Sequence, residues 1–296
     1  MLFDSHTHLN EDSFSNEERK LLMDGIKDSE LLKYVADIVY DLKSSKLAAK
    51  HAMENPWCVA AVGVHPHDSG SMTEAIYEEI KSLAMQEGVK AIGEIGLDYH
   101  YMRSSKEDQR YWFRRQIRLA NELKMPIVIH SREADQETMD ILIEEGALSD
   151  ERAAMFPMRM LADGKEAPDC RVDIHCFSGS SELAKQYVKL GATIGICGPV
   201  TFKNNKKTIK VVEEIPLEYI MVETDAPFLT PEPYRGRPNK PWYVEHTAAK
   251  VAEIKGISFE EASKKTFENA MRFYGLNYET LYNISKRHKE SAPPER

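Results

Sequence analysis

The stretch VKAIGEIGLDYHYMRSSKEDQRYWFRRQIRLANELKMPIVIHSREA, residues 89–134, decides the fold. It opens on a short apolar run centred on Ile92 that closes on Gly93-Glu94-Ile95-Gly96. From Lys106 to Leu123, the side chains of Trp112, Phe113, Ile117, Ala120 and Leu123 recur at near-helical spacing among Glu, Arg and Lys. That pattern is an amphipathic helix with one stripe for a core. A second apolar run, centred on Val128, ends at His130. Strand, helix and strand in this order make a βαβ unit, whose two strands pair in parallel.

The same rhythm extends both ways. Strand centres are read near Phe3, Val39, Val62, Ile92, Val128, Asp173, Ile194 and Met221, at intervals that suit a strand, a helix and two loops. Eight such units predict an α/β fold, a (β/α)8 TIM-like barrel in a single domain. Helices are also expected over Ser44–Met53, capped by its serines, and over Ser180–Leu190, which stops before Gly191. Between Leu148 and Arg171 the chain is too long for a simple return loop; Pro157, Gly164 and Pro168 break it and Met155, Met158 and Met160 cluster in it. It reads as an insertion before strand six, about residues 148–171. The barrel is assigned residues 1–285, and a polar tail residues 286–296.

Composition narrows the classes. With 42% hydrophobic and 29% charged residues, the chain can build a core and is not disordered throughout. No apolar run approaches the length of a membrane span, and the start lacks the basic and apolar regions of a secretory signal. A cytoplasmic protein without membrane association is therefore expected. Cys58, Cys170, Cys176 and Cys197 form no C-x-x-C pair and read as reduced thiols. The net charge of −9 argues against a broad basic surface for nucleic acid.

The chemistry lies in where ionisable residues fall. Of 10 histidines, His6, His8, His65, His67, His130 and His175 lie at or just beyond strand ends. In a barrel those ends meet on one rim, where active sites of the fold are built. His6 and His8, two apart on a strand, point the same way. Glu94, His130, His175 and Asp225 each follow an apolar run. Imidazoles and carboxylates together suit zinc, manganese, cobalt or nickel, and carboxylate-rich sites also admit magnesium. Six ligands exceed the needs of one tetrahedral ion and suit two divalent ions. Strand order makes Glu94 the bridge between them.

These residues resemble a known family, the TatD-type metal-dependent deoxyribonucleases of the amidohydrolase superfamily. The resemblance is carried by Asp4-Ser-His6-Thr-His8-Leu, Gly63-Val-His65-Pro-His67, Gly93-Glu94-Ile-Gly-Leu-Asp98-Tyr, Gln109 through Ala120, Pro126-Ile-Val-Ile-His130-Ser-Arg132-Glu-Ala, His175-Cys-Phe-Ser-Gly and Glu223-Thr-Asp225-Ala-Pro-Phe-Leu. The pieces follow family order from residue 2 to about residue 274. The resemblance implies a phosphodiester hydrolase, a 3′-to-5′ exonuclease on DNA and in some members on RNA. It also implies one ion on His6, His8, Glu94 and Asp225 and a second on Glu94, His130 and His175. His65 would contact the substrate phosphate or tune the reaction, and the Arg235-Gly-Arg237-Pro-Asn239 loop would face the substrate. Single-stranded DNA or nucleic-acid ends are then the expected partner, and a monomer is expected.

Within that reading the two ions acidify a water for attack on phosphorus, and Asp225 both ligates and accepts its proton. Arg132, Arg235, Arg237 and Lys240 suit phosphate contact. Lys203, Lys206, Lys207 and Lys210 divide evenly between a solvated helix face and steering of a phosphate backbone. Tyr99, Tyr101 and Phe202 are rim aromatics that could stack bases. Glu223 is expected to orient a histidine, Asp4 to make a structural contact, His67 and His100 to be rim histidines, and Cys176 to be a core thiol. Two alternatives stay open: a deacylase or esterase on the same metals, and a non-catalytic scaffold.

Overall fold

A computed structural model describes residues 1–277; the polar tail expected over 286–296 lies outside the described residues. Eight parallel strands form one sheet in chain order: β1 (Leu2–Thr7), β2 (Leu32–Asp37), β3 (Cys58–Val62), β4 (Val89–Asp98), β5 (Ile127–Arg132), β6 (Val172–Ile174), β7 (Thr193–Ile196) and β8 (Ile220–Val222). A parallel bridge between Thr7 and Ala226, with Asp225 N–H donating to His6 O at 2.9 Å, brings the last strand's extension back to the first. The sheet is a nearly closed TIM-like barrel with helices between successive strands. The alternation is local in origin: β-branched runs form the strands, and capped amphipathic stretches form the helices. Asp41 caps Leu42–Glu54 and Ser180 caps Ser181–Lys189, each accepting from a backbone N–H of the first turn.

Two strands differ from the sequence reading. Val39 lies beyond β2, which ends at Asp37. Past that point the backbone serves the rim: Ile38 O takes His8 Nδ1 at 2.9 Å and Val39 O accepts Glu94 N–H at 3.3 Å. Conversely, β4 does not stop at Glu94 but continues to Asp98, pairing Gly96, Leu97 and Asp98 with His130, Ser131 and Arg132. Glycine permits it. Gly96 has φ +147°, and a Cβ there would overlap the His130 carbonyl. The helix expected from Ser44 begins at Leu42, with Asp41 as cap and Ser44 three residues inside it.

Residues 148–171 contain a short helix, Asp150–Ala153, and a hairpin pairing Arg159–Met160 with Glu166–Ala167. Below the histidine rim, Phe3, Tyr34, Ala36, Val59, Ala61, Ala91, Val128 and Met221 pack with Phe267, Met271, Phe273 and Tyr274. These are residues of the strands and of the helix Phe259–Phe273, with Tyr274 just after it. The chain's last described helix thus closes the barrel end opposite the site.

Candidate metal centre

All six predicted ligands converge on the C-terminal rim. His6 and His8 come from β1 and its end, Glu94 from the middle of β4, His130 from β5, His175 from just beyond β6 and Asp225 from the loop after β8. Asp225 Oδ1 lies 3.1 Å from His8 Nε2, 3.7 Å from His6 Nε2 and 3.6 Å from His175 Nε2. Glu94 stands in the middle. One of its oxygens is 3.4 Å from His6 Nε2; the other is 2.7 Å from His130 Nδ1, 3.7 Å from His65 Nε2 and 4.0 Å from His175 Nε2. Three groups of candidate ligand atoms lie here: His6, His8 and Asp225; His6, His175 and Glu223; and His65, Glu94 and His130, so that Glu94 stands between the groups built on His6 and its own histidines. His175 lies nearer the first group, its ring stacked on His6 with centroids 3.4 Å apart.

Buried surroundings set the charge states of these groups. Burial would raise the Glu94 carboxyl, but His175 and His65 with the other facing imidazoles outweigh it and hold it well below the usual range. Burial would lower His8, yet its bond to Asp225 wins and pushes it up to about 9. His65 is pulled well down by burial and by the neighbouring His130. Both ring nitrogens of the fully buried His6 and Oε2 of Glu223 lack a hydrogen-bond partner among the described residues. Buried polar atoms are otherwise nearly always paired. Orphaned imidazole nitrogens facing carboxylates fit a divalent ion of the zinc and manganese kind.

Supporting residues fill the space behind. Glu223 Oε1 accepts the Cys176 N–H at 2.6 Å and lies 2.8 Å from His175 Nδ1, without a hydrogen bond's alignment. Asp4 accepts from Thr224 N–H at 2.8 Å and binds the strand-eight end to β1. His67 donates to Asp98 at 2.8 Å, His100 pairs with Glu133 on the surface, and Cys176 is half-buried. Arg132, Arg235 and Arg237 are exposed on the rim and are not brought against the ligands; Arg132 covers the Tyr101 ring at 4.7 Å and Arg235 covers Phe202 at 4.2 Å. Lys210 is paired with Glu182 and Glu214 and so belongs to a solvated helix face.

Two residues quoted in the sequence motifs have roles not read there: Asp98 was given none, and Asn239, expected in a substrate-facing loop, is buried. Asp98, fully buried, accepts His130 Nε2 at 3.1 Å as well as His67, and so fixes the ring that faces Glu94. It shares strand parity with Glu94 four residues earlier, which was the available sign. Asn239, also buried, donates from one amide to Thr224 O at 2.8 Å and Phe228 O at 2.6 Å. It clamps the chain on both sides of Asp225, whose φ of +56° is uncommon for a non-glycine. Asn239→Ala is expected to lower stability by about 1–3 kcal/mol, through the loss of its two hydrogen bonds to the Thr224 and Phe228 carbonyls. An unchanged midpoint in denaturant unfolding would show that the clamp contributes nothing.

Comparison with known proteins follows the same lines. A family model described as TatD related DNase matches residues 3–275. The Bacillus subtilis protein named uncharacterized metal-dependent hydrolase YabD is 39% identical over 277 residues, covering 94% of this chain and 100% of its own. The Mycobacterium tuberculosis protein named uncharacterized metal-dependent hydrolase TatD is 32% identical, over 82% of this chain and 86% of its own. Among solved structures, the Escherichia coli TatD homologue YjjV superposes with a TM-score of 0.79 at 23% identity, covering 93% of this chain and 98% of that one, a likeness of fold. By the extent of the family match and by these relatives, the chain belongs to the TatD-related DNase family.

Proposed function

We propose that the protein is a metal-dependent phosphodiester hydrolase that trims single-stranded DNA, or RNA, from its 3′ end. The observation that carries this reading is the placement of Glu94 between two clusters of buried ligand atoms, an arrangement suited to a pair of divalent ions. Family membership and the relatives' naming as metal-dependent hydrolases support it.

His6, His8, Glu94 and Asp225 would hold one ion, and Glu94, His130 and His175 a second, with His65 close by. Such ions, whether zinc, magnesium, manganese, cobalt or nickel, supply Lewis-acid polarisation of a phosphoryl oxygen and acidify water. Asp225 accepts the water's proton at a carboxylate oxygen, a role that its place on the rim among the proposed ligands allows. His65, kept neutral by burial, offers its Nε2 side to a non-bridging oxygen of the substrate. Arg132, Arg235 and Arg237 bind the strand's phosphates with planar forks. The acidic excess of the chain does not oppose this, because bound cations dominate the local field of a metal site.

Stripped with chelator, the protein is expected to lose hydrolysis of 3′-labelled single-stranded DNA and to regain it with added divalent metal. Metal-loaded protein that leaves DNA and RNA oligonucleotides intact while cleaving amides or carboxylic esters would overturn the assignment.

A further inference from the structure

The aromatic rim residues are not equivalent, and their difference points to the feature of the substrate the site grips. Tyr99 carries Lys106 over its ring at 4.0 Å, Tyr101 carries Arg132 at 4.7 Å, and Phe202 carries Arg235 at 4.2 Å. Each of these rings is engaged by a cation from the chain itself. Phe228 differs. Its side chain is 50% exposed, beside the buried histidines of the rim. Its one ring contact among the described residues is an edge contact with the His8 imidazole, at 5.9 Å between centroids and 65° between planes. No cation of the described residues lies over its face.

The ring is also held in place from behind. Phe228 N–H donates to Asp225 O at 2.8 Å, and Phe228 O accepts from the buried Asn239 amide at 2.6 Å. An exposed aromatic on a pinned backbone, three residues after a metal ligand and touching another, is a flat apolar surface held next to the reacting centre. Every nucleobase has a π-face that stacks on such a ring, whatever its hydrogen-bond pattern. Sugar and phosphate have no such face.

Resting on the phosphodiesterase reading, we propose that Phe228 is the shelf on which the base of the terminal nucleotide stacks, while the arginines on Tyr101 and Phe202 hold phosphates. The site would then select ends whose last base is free to leave its neighbours. Its sequence preference would be weak. A paired end must first unstack, so duplex ends are poorer substrates.

The test compares two single-stranded DNA oligonucleotides on the metal-loaded full chain, one with an ordinary 3′-terminal nucleotide and one with a terminal abasic residue. The ratio of their kcat/KM values is expected to fall about tenfold in Phe228→Ala, through KM, and to return in Phe228→Trp. A ratio that Phe228→Ala leaves unchanged overturns the shelf, even if both rates fall. Binding gives an independent readout: indole fluorescence gained in Phe228→Trp over the parent should be quenched by a deoxynucleoside monophosphate and not by inorganic phosphate. Absence of that difference overturns the proposal whether or not either oligonucleotide is hydrolysed, whereas quenching without hydrolysis of either would count against the phosphodiesterase reading alone.

Discussion

Under the proposed two-metal phosphodiesterase reading, replacing Glu94 with alanine is expected to reduce bound divalent metal from two ions per chain to one and to slow phosphodiester hydrolysis by at least about 10²–10³-fold. The reason is geometric. Glu94 is 4% exposed, and its two oxygens face different histidines, His6 on one side and His130 with His65 on the other. Alanine removes a negative charge from among four imidazoles, and a cation added there must then meet ligands without the charge that offset it. Glu94→Gln keeps the shape and one carbonyl oxygen but not the charge, so it should lie between the two. Metal analysis of the purified variants decides the matter. Two tightly held ions in Glu94→Ala would remove the bridge from the mechanism, whatever became of the rate.

The largest effect on stability is expected at the other end of the barrel, from Asp169→Ala. Asp169 is fully buried, with Arg159 Nη2 at 3.0 Å from Oδ1, Arg171 Nε at 3.7 Å from Oδ2 and Arg272 Nη1 in contact with Oδ2. Its Oδ1 also accepts the Arg171 N–H at 3.1 Å. Burial pulls the guanidiniums of Arg159 and Arg171 down to about 10, so both stay charged at neutral pH. Arg159 reaches Thr193 at 3.0 Å and lies 3.8 Å over the Tyr219 ring, but these neutral partners supply no counter-charge. Without Asp169, three guanidiniums share a buried space with only the Glu218 charge acting on one of them, Arg159, from nearby. Breaking a buried pair from one side costs about 3–5 kcal/mol. Chemical denaturation should show a loss of that size, and Asp169→Asn, which retains an acceptor oxygen, a smaller one. A change under about 1 kcal/mol in Asp169→Ala would mean that the arginines find water once the carboxylate is gone. Metal content in the folded fraction should hold, since the cluster lies at the strand starts and the metal ligands at the strand ends.

That cluster shows what kind of information a sequence withholds. Arg159 belongs to the stretch read as an insertion, and nothing near it along the chain announces a charge partner. Asp169 is ten residues away, while Thr193 and Arg272 come from other units of the barrel. The strands were legible because their period is local, and the errors had local causes too. Val39 belongs to the apolar run of β2, but its backbone bonds to Glu94 and not to a strand ladder. The end of β4 was hidden because glycines that resemble a strand stop are in fact what lets β4 and β5 approach.

The ligand residues divide in the same way. Strand-end position was enough to bring His6, His8, Glu94, His130, His175 and Asp225, the proposed ligands, to one place, because a parallel barrel sends every strand end to one rim. Which imidazole meets which carboxylate was not contained in that rule. His175 came to rest on His6 and Asp225, and His65 beside Glu94 and His130, because ring positions depend on loop length and on side chains from neighbouring strands. The sequence by itself determined the alternation of elements, the barrel and which histidines and carboxylates meet on its rim, since each rests on spacing along one chain segment. Only the tertiary structure decided the grouping of ligands about Glu94, the clamp of Asn239, the three arginines on Asp169 and the bare face of Phe228. Those depend on packing between segments up to more than a hundred residues apart, where no local pattern specifies a distance.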